Sequence, residues 1–445
     1  IDVTGKGYGR SGTKFRVPGP LEVNSKVAST NAKAGASHGG EGGSYDTVST
    51  NKPNLTYGNP FHPVHAGASP SRGTSTSGGG RIKINVTGSI DNNGFIKADG
   101  GTAGAVYSGA GGSVYITTST LKGIGKITAN GGGTNAAGAG GGGRIAIYYD
   151  SIEGNFSLPT NAIANINSFG GVGGSSYRHG AAGTIFIKDS NDTLGSMIIN
   201  NNDVKPTYAK TDIYIPAATT ADTLSAISLT KTGQFGDRLI NDFVLRGFHL
   251  DPNINQNATQ TSGDNTYFKI ASGNINSVTV AGGYPSLSAS YSNTNTHRVM
   301  MVLKNLEVTG ASVLTGDSRI LVTEGDLSST NTTTAIVKGI PNSGLDFYQG
   351  NTTYDLSDWP GVNISSFDVS SNTGDLTLKD GVFELSGNIS GTNLILDGAQ
   401  VTYTGLRKVN TITLSGNLIL TNSSNLIQTQ TSTANGGDEY SIEIS

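Results

Sequence analysis

The chain has no cysteine at all, one tryptophan and three methionines. Thiolate catalysis, cysteine–zinc sites and disulfide staples are therefore excluded, and the absence of Cys suits a protein that works outside the cell. Charge is equally scarce. Only 14 % of residues are Asp, Glu, Lys or Arg, against ~25 % in ordinary domains, and 29 Lys+Arg nearly cancel 32 Asp+Glu. Such a chain has no basic field for nucleic acid or anionic lipid, so neither is expected as a partner. No apolar run approaches the ~18 residues of a membrane span. The chain opens on Ile1 and not on Met, which we read as a processed or excised chain. Proline is sparse, at 13 residues, and glycine has no strict third-position period, which excludes collagen.

What is abundant is glycine, 65 of 445 residues, about twice its usual share, together with Ser, Thr and Asn. These residues disfavour helix interiors and favour strands, turns and loops. With 35 % hydrophobic residues in short alternating runs, an all-β core follows in place of disorder. The order of the runs is repetitive. GGGRIKINVTGSIDNNGFIKADGG from Gly78, GGSVYITTSTLKGIGKITANGG from Gly111, GGGRIAIYYDS from Gly141 and AAGTIFIKDS from Ala181 align, with Ile82, Val114, Ile145 and Ile185 in equivalent places. Within each unit alternate residues (Ile82, Ile84, Val86; Val114, Ile116; Ile145, Ile147) share one face, while Arg81, Lys83 and Arg144 are expected to face away. A second short strand follows, Phe95 to Ala98 and Lys126 to Ala129, ending in Asp99-Gly100 and Asn130-Gly131 corners.

Near the C-terminus the period changes to 18, with Leu376, Leu394 and Ile412 in register. Both periods predict stacked coils: a parallel β-helix, or β-solenoid, with a glycine-rich N-terminal part and an 18-residue-coil C-terminal part. The expected organisation is a glycine-rich β-helix over 1–210 with ~31-residue repeats, irregular β coils or an inserted β-subdomain over 211–300, and a β-helix with 18-residue coils over 301–445. The tracts carrying Gly100, Gly101, Gly111 and Gly112, then Gly131 and Gly132, then Gly141, Gly142 and Gly143, recur between equivalent strand ends. They are expected to be ordered, stacked and polyproline-II-like or flat, with approach too close for a Cβ.

The string Ser37-His38-Gly39-Gly40-Glu41-Gly42-Gly43, the Tyr57-Gly58-Asn59-Pro60 turn and the GGGRIKI, KADGG and GGGGRIAIYY units look like the glycine-rich repeats of very large surface and secreted proteins. The later coils resemble right-handed parallel β-helix proteins of the pectate-lyase-like architecture, among them adhesins, tailspikes and polysaccharide lyases. The resemblance implies an extracellular or cell-surface repetitive protein and carries over no catalytic residue.

Candidate chemistry is thin. Gly7-Tyr8-Gly9-Arg10-Ser11-Gly12 matches a dinucleotide fingerprint that a glycine-rich chain produces by chance, and it lacks the strand-turn-helix context. Asp189, Asn191 and Asp192 begin like a calcium loop, but Thr193 and Leu194 stand where a ligand and the turn glycine belong. A structural calcium ion is the single cofactor considered; a turn-forming Asx cluster is the preferred reading. His38, His62 and His65 offer three imidazoles for zinc, yet no carboxylate is patterned with them, and a backbone-bonding role for His38 is preferred. His179 and His249 have no nucleophile or acid beside them in sequence and read as surface or packing residues. Trp359 with Tyr348 and Tyr354 forms a possible sugar-stacking platform, weighed against a loop covering a solenoid end. Asp355, Asp358, Asp375, Asp380 and Asp397 are too dispersed to make a paired acid site legible, so the sequence leaves catalysis open and leans against it. Asn-x-Ser/Thr sequons such as Asn85 and Asn422 arise readily in so Asn/Ser/Thr-rich a chain. The leading reading is an extracellular structural or adhesive protein whose partners are copies of itself and possible surface glycans; the alternative is a carbohydrate-binding or polysaccharide-degrading β-helix. The terminal alternation Tyr440, Ile442, Ile444 predicts a strand that pairs with an earlier part of the chain or with a neighbouring subunit.

Overall fold

A computed structural model describes residues 1–9, 34–46, 55–70, 76–156 apart from 103, 105 and 135, 165–216, 219–233, 245–252, 268–282 and 287–304, then shorter stretches between 306 and 444. Strands dominate it. The four aligned repeats form one ladder, Arg81–Asp91, Ser113–Lys122, Arg144–Tyr149 and Thr184–Asp189, paired in parallel with Ile82, Val114, Ile145 and Ile185 side by side. Equivalent β-branched residues stack because parallel neighbours place the same face inward at each step. That face packs on a second parallel sheet, Phe95–Lys97, Lys126–Thr128 and Ile166–Asn167, to close a core of Ile96, Ile127, Ile166 and Phe156 with the ladder's isoleucines.

The expectation of a parallel β-helix is corrected here. The fold is all-β, but its sheets mix parallel and antiparallel pairing. The first ladder reverses at Ser196–Asn200, which lies antiparallel to Thr184–Asp189 with Ile185 opposite Ile198. The cause is local: Asp189 Oδ1 accepts the Asn191 backbone N–H at 2.8 Å, an Asx turn that folds the chain straight back. Beyond it, His249–Asp251, Phe268–Asn274, Ser277–Val280 and Thr296–Leu303 pair antiparallel with one another. Parallel pairing resumes when Leu306–Thr309 joins the free side of Ser196–Asn200.

The 18-residue register is corrected in its last step. Leu376 pairs with Leu394 as the period requires, but Leu394 then pairs with Leu418, and Ile412 lies beside Ile389. Two strands intervene in each step, but Gln400–Thr404 and Val409–Leu414 are longer than Val382–Leu385 and Ile389–Gly391, so a constant spacing no longer marks neighbours. The last strand, Ser441–Ile444, pairs in parallel with Val409–Leu414 of the same chain. A large core runs through the antiparallel region into this part, with Phe61, Phe248, Phe268, Leu306, Leu378 and Leu396 among its members.

The glycine tracts lie outside the ladders and bond sideways. Gly140 donates to Gly132, Gly141 to Ala36, Gly142 to Ala181, and Gly143 returns to the first neighbour at Ala129. Gly109, Ala110, Gly111 and Gly112 do the same, to Gly101, Ala68, Gly141 and Ala98. Successive N–H groups thus point at three different neighbours and repeat every third residue, which is the three-residue turn of polyproline II. Backbones that satisfy one another laterally need side chains out of the way: a Cβ on Gly141 would overlap the carbonyl of Gly40, and one on Gly142 that of Ser168. Arg144 is expected to face away from the isoleucines, on the side of the strand that in most sheets meets water. It is instead fully buried under this layer, its Nε donating to Tyr57 O at 2.9 Å and one Nη to Thr184 Oγ1 at 3.0 Å.

Candidate functional site

The outward face of the first ladder is where the chemistry gathers. Parallel register sets Lys83 beside Tyr115, Thr117 beside Tyr148, Ala146 beside Phe186 and Tyr148 beside Lys188. The 55–70 segment crosses this face and sets His62 against both tyrosines, 5.4 Å from Tyr115 and 5.7 Å from Tyr148, the latter pair near-parallel at 18°. Tyr115 and Tyr148 are themselves 5.6 Å apart. The platform is anchored from below: Tyr148 Oη donates to Phe61 O at 2.9 Å, and the Phe61 ring stands edge-on to both Phe186 and Phe248. Gly247, at φ +93°, is a position that L side chains avoid, and a Cβ there would fall 2.7 Å from Phe61 Cβ; glycine lets the chain press the phenyl ring into place.

Opposite the platform stand Arg246, His249, Lys269 and Ala271 from the antiparallel region. Between the two sides lies an open cleft of about 420 Å³. Lys188 lines it, its Nζ reaching the carbonyl oxygens of Asp189 and Asp192. None of the described residues lining it is a carboxylate. The environment is electropositive as well as apolar: burial first, then Arg246, Lys269 and Lys83, pull the His62 pKa down to about 3. Burial and then Lys269 act in the same direction on His249, also to about 3, and on Lys188, whose ammonium is held below its ordinary value.

The residues singled out from sequence fall elsewhere. Tyr348 and Trp359 lie outside the described residues; Tyr354 belongs to the strand Thr352–Asp355. Asp189 serves the Asx turn, and the Asp192 carboxylate holds Lys304 Nζ at 2.8 and 2.9 Å. Among the described residues no group of three His, Cys, Asp or Glu is placed to hold a metal ion. His38 is separated from His62: its Nδ1 donates to Gly111 O at 2.8 Å and its ring stacks on Tyr57 at 4.6 Å. His179 Nδ1 accepts the Gly173 amide at 3.0 Å. Among the described residues no helix is long and apolar enough to cross a membrane. The cleft itself was missed because its parts are scattered; the available signal was the Tyr115 and Tyr148 pair on outward positions of aligned repeats. Compared with known protein families and with curated proteins, the chain matches none.

The buried histidines give the fold an acid limit. Burial holds His38, His62 and His249 near 3, below the unfolded value of 6.5, so the unfolded chain binds more protons across that interval. Their contribution is complete above about pH 7 and is lost as pH falls from 6.5 toward 3. Glu307 works the other way, since burial raises it to about 7 and favours the folded state only where it is protonated. Three groups against one predict a midpoint of urea unfolding that falls between pH 7 and pH 4.5; a midpoint that is flat or rises over this interval would contradict these assignments.

Proposed function

We propose that this chain is a non-catalytic surface protein of the extracellular space, a stiff glycine-packed scaffold that presents a carbohydrate-binding cleft. The observation that carries the reading is the open platform of His62, Tyr115 and Tyr148, held rigid by Phe61 and faced across the cleft by polar side chains. Flat rings offer an apolar face to the C–H side of a sugar, and surrounding donors read its hydroxyls. The described lining residues include aromatic rings and hydrogen-bond donors and no carboxylate, a composition that supports recognition of a sugar. The absence of cysteine, the low charge and the Ser/Thr/Asn-rich exterior support an extracellular setting. Self-association, which the sequence suggested, remains part of the proposal through the exposed Ile419, Leu420 and Ile427 near the C-terminal end.

The test is glycan-array binding by the full chain beside Tyr115→Ala. Tyr115 is half-buried and carries no structural hydrogen bond of the Tyr148 kind, so its removal is expected to leave the melting temperature within a few degrees. Loss of one aromatic contact worth ~1.4 kcal/mol or more weakens glycan binding at least about tenfold. Unchanged binding by the variant, or no glycan bound by either protein, would reject the reading.

A further inference from the structure

The wall opposite the aromatic platform holds one polar group that the fold leaves unserved. In the antiparallel register His249 stands beside Lys269 on one side and Met300 on the other, while Leu250, one residue on, turns to the opposite face and enters the large core. On the His249 face, Met300 and Val302 pack on Leu194 in a small apolar cluster of their own, and Leu194, Ala271 and Val302 line the cleft. His249 lines it too. The residue is 7 % exposed, and its Nδ1 is buried without a hydrogen-bond partner. Burial, then Lys269, keep the ring neutral at working pH, so one nitrogen donates and the other accepts. A buried nitrogen left unpaired destabilises the fold, a cost that a phenyl or aliphatic side chain at this place would not carry. A half-turn about Cβ–Cγ exchanges Nδ1 with Cδ2, so the ring is able to offer Nδ1 to a partner that arrives through the cleft.

We propose that His249 reads the configuration of the bound sugar, taking a ring that lays one C–H face on the His62–Tyr115–Tyr148 platform and points a single axial hydroxyl from its other face at the imidazole. This rests on the glycan-binding reading above and adds the stereochemical class of the ligand. A β-hexopyranose carries the axial hydrogens of C1, C3 and C5 on one face, which suits flat aromatic rings. In the gluco configuration the opposite face also presents only axial hydrogens, whereas the galacto and manno epimers each raise one hydroxyl there, at C4 and at C2. Such a hydroxyl both gives and accepts hydrogen bonds, so it pairs with the unpartnered nitrogen in either tautomer. A gluco ring leaves that nitrogen as it was, and a site built to bond a hydroxyl discriminates strongly against the ligand that lacks it.

The experiment is an NMR titration of the full chain with the methyl β-glycosides of galactose, mannose and glucose, probes that differ only in which hydroxyl is axial. One of the two axial epimers is expected to bind at least about tenfold more tightly than the glucoside, and which one does so places the hydroxyl at C4 or at C2. This comparison needs no variant. His249→Phe keeps a flat ring and removes both nitrogens. It is expected to bring the favoured epimer down to the affinity of the glucoside, to leave the glucoside unmoved, and to melt no lower than the parent, since an unpaired buried nitrogen goes with it. A histidine that serves the fold alone would show the reverse, a lowered melting temperature with the epimer preference intact. Equal binding of the three glycosides, tightest binding of the glucoside, or a preference that survives in the variant would overturn the stereochemical inference and leave glycan binding standing. Binding of none of the three also overturns it, and a glycan array that retains nothing overturns the reading beneath it as well.

Discussion

Valine at Gly141 or Gly142 is expected to unfold the N-terminal half of the protein under conditions where the parent chain is stable. Each of these glycines donates its amide to one neighbouring tract and presents its α-carbon to the backbone of another, so the added side chain meets main-chain oxygen, which has no rotamer to retreat into. Relief requires separating tracts that supply each other's hydrogen bonds, and every separated pair leaves buried polar groups unsatisfied at ~1–3 kcal/mol apiece. A loss of roughly 4 kcal/mol or more per substitution places it at the far end of single-residue effects. Gly88 is the matched control. A Cβ there meets nothing within 4 Å, and Gly88→Ala is expected to stay within ~0.5 kcal/mol of the parent. Chemical denaturation of the three proteins compares them directly; equal midpoints for Gly142→Val and Gly88→Ala would show that the tracts yield easily. Hydrogen exchange adds a second view, with the amides of Gly111, Gly141 and Gly142 expected to exchange only on global opening.

Arg144→Ala is expected to be comparably damaging for an electrostatic reason. The guanidinium is 1 % exposed, bonded to Tyr57 O and Thr184 Oγ1, with buried Asp212 as its nearby counter-charge. Burial pulls its pKa down to about 10, with Tyr57 and Asp212 resisting, so it stays charged at neutral pH. Deleting the guanidinium strips two buried acceptors, Tyr57 O and Thr184 Oγ1, of their charged donor at ~1–3 kcal/mol apiece and removes a positive charge near Asp212. Arg144→Lys is expected to recover little, because a single ammonium cannot serve both acceptors across the span of the fork. The diagnostic variant is Arg144→Met with Asp212→Asn, which removes both charges and is expected to be more stable than Arg144→Met alone. Additive losses in that double variant would mean that the two charges do not compensate each other.

The parts of the fold legible in the sequence are those where like residues stack. Ile82, Val114, Ile145 and Ile185 align in sequence and lie side by side because parallel neighbours repeat the same inward position. Leu376 and Leu394 were readable for the same reason. The step to Leu418 was not, since Gln400–Thr404 and Val409–Leu414 alternate like their neighbours and hide the longer spacing. The reversal that separates this fold from a continuous parallel coil did leave a mark: Asp189, Asn191 and Asp192, weighed against calcium, form the Asx turn between two apolar strands. Direction, however, is decided by where the next strand finds a partner, and periodicity carries no information about that. Arg144 misled because alternation says which face a side chain takes, not whether that face meets water; here it meets the glycine layer. The cleft was hidden for a further reason, that Arg246 and Lys269 reach Tyr115 and Tyr148 only through the folded antiparallel region.

The reversal at Ser196–Asn200 also orders events in time. That strand has Thr184–Asp189 on one side, reached through a tight turn, and Leu306–Thr309 on the other, reached only after the whole antiparallel region has been threaded. Closing the first contact costs little chain entropy and closing the second costs more, so the hairpin forms early and waits with an open edge. During synthesis from the N-terminus the repeats up to Asn200 can therefore assemble before Leu306 has left the ribosome. The later strands then grow on a template already in place, and the same seam that turns the chain around is the point where one half of the molecule teaches the other its register.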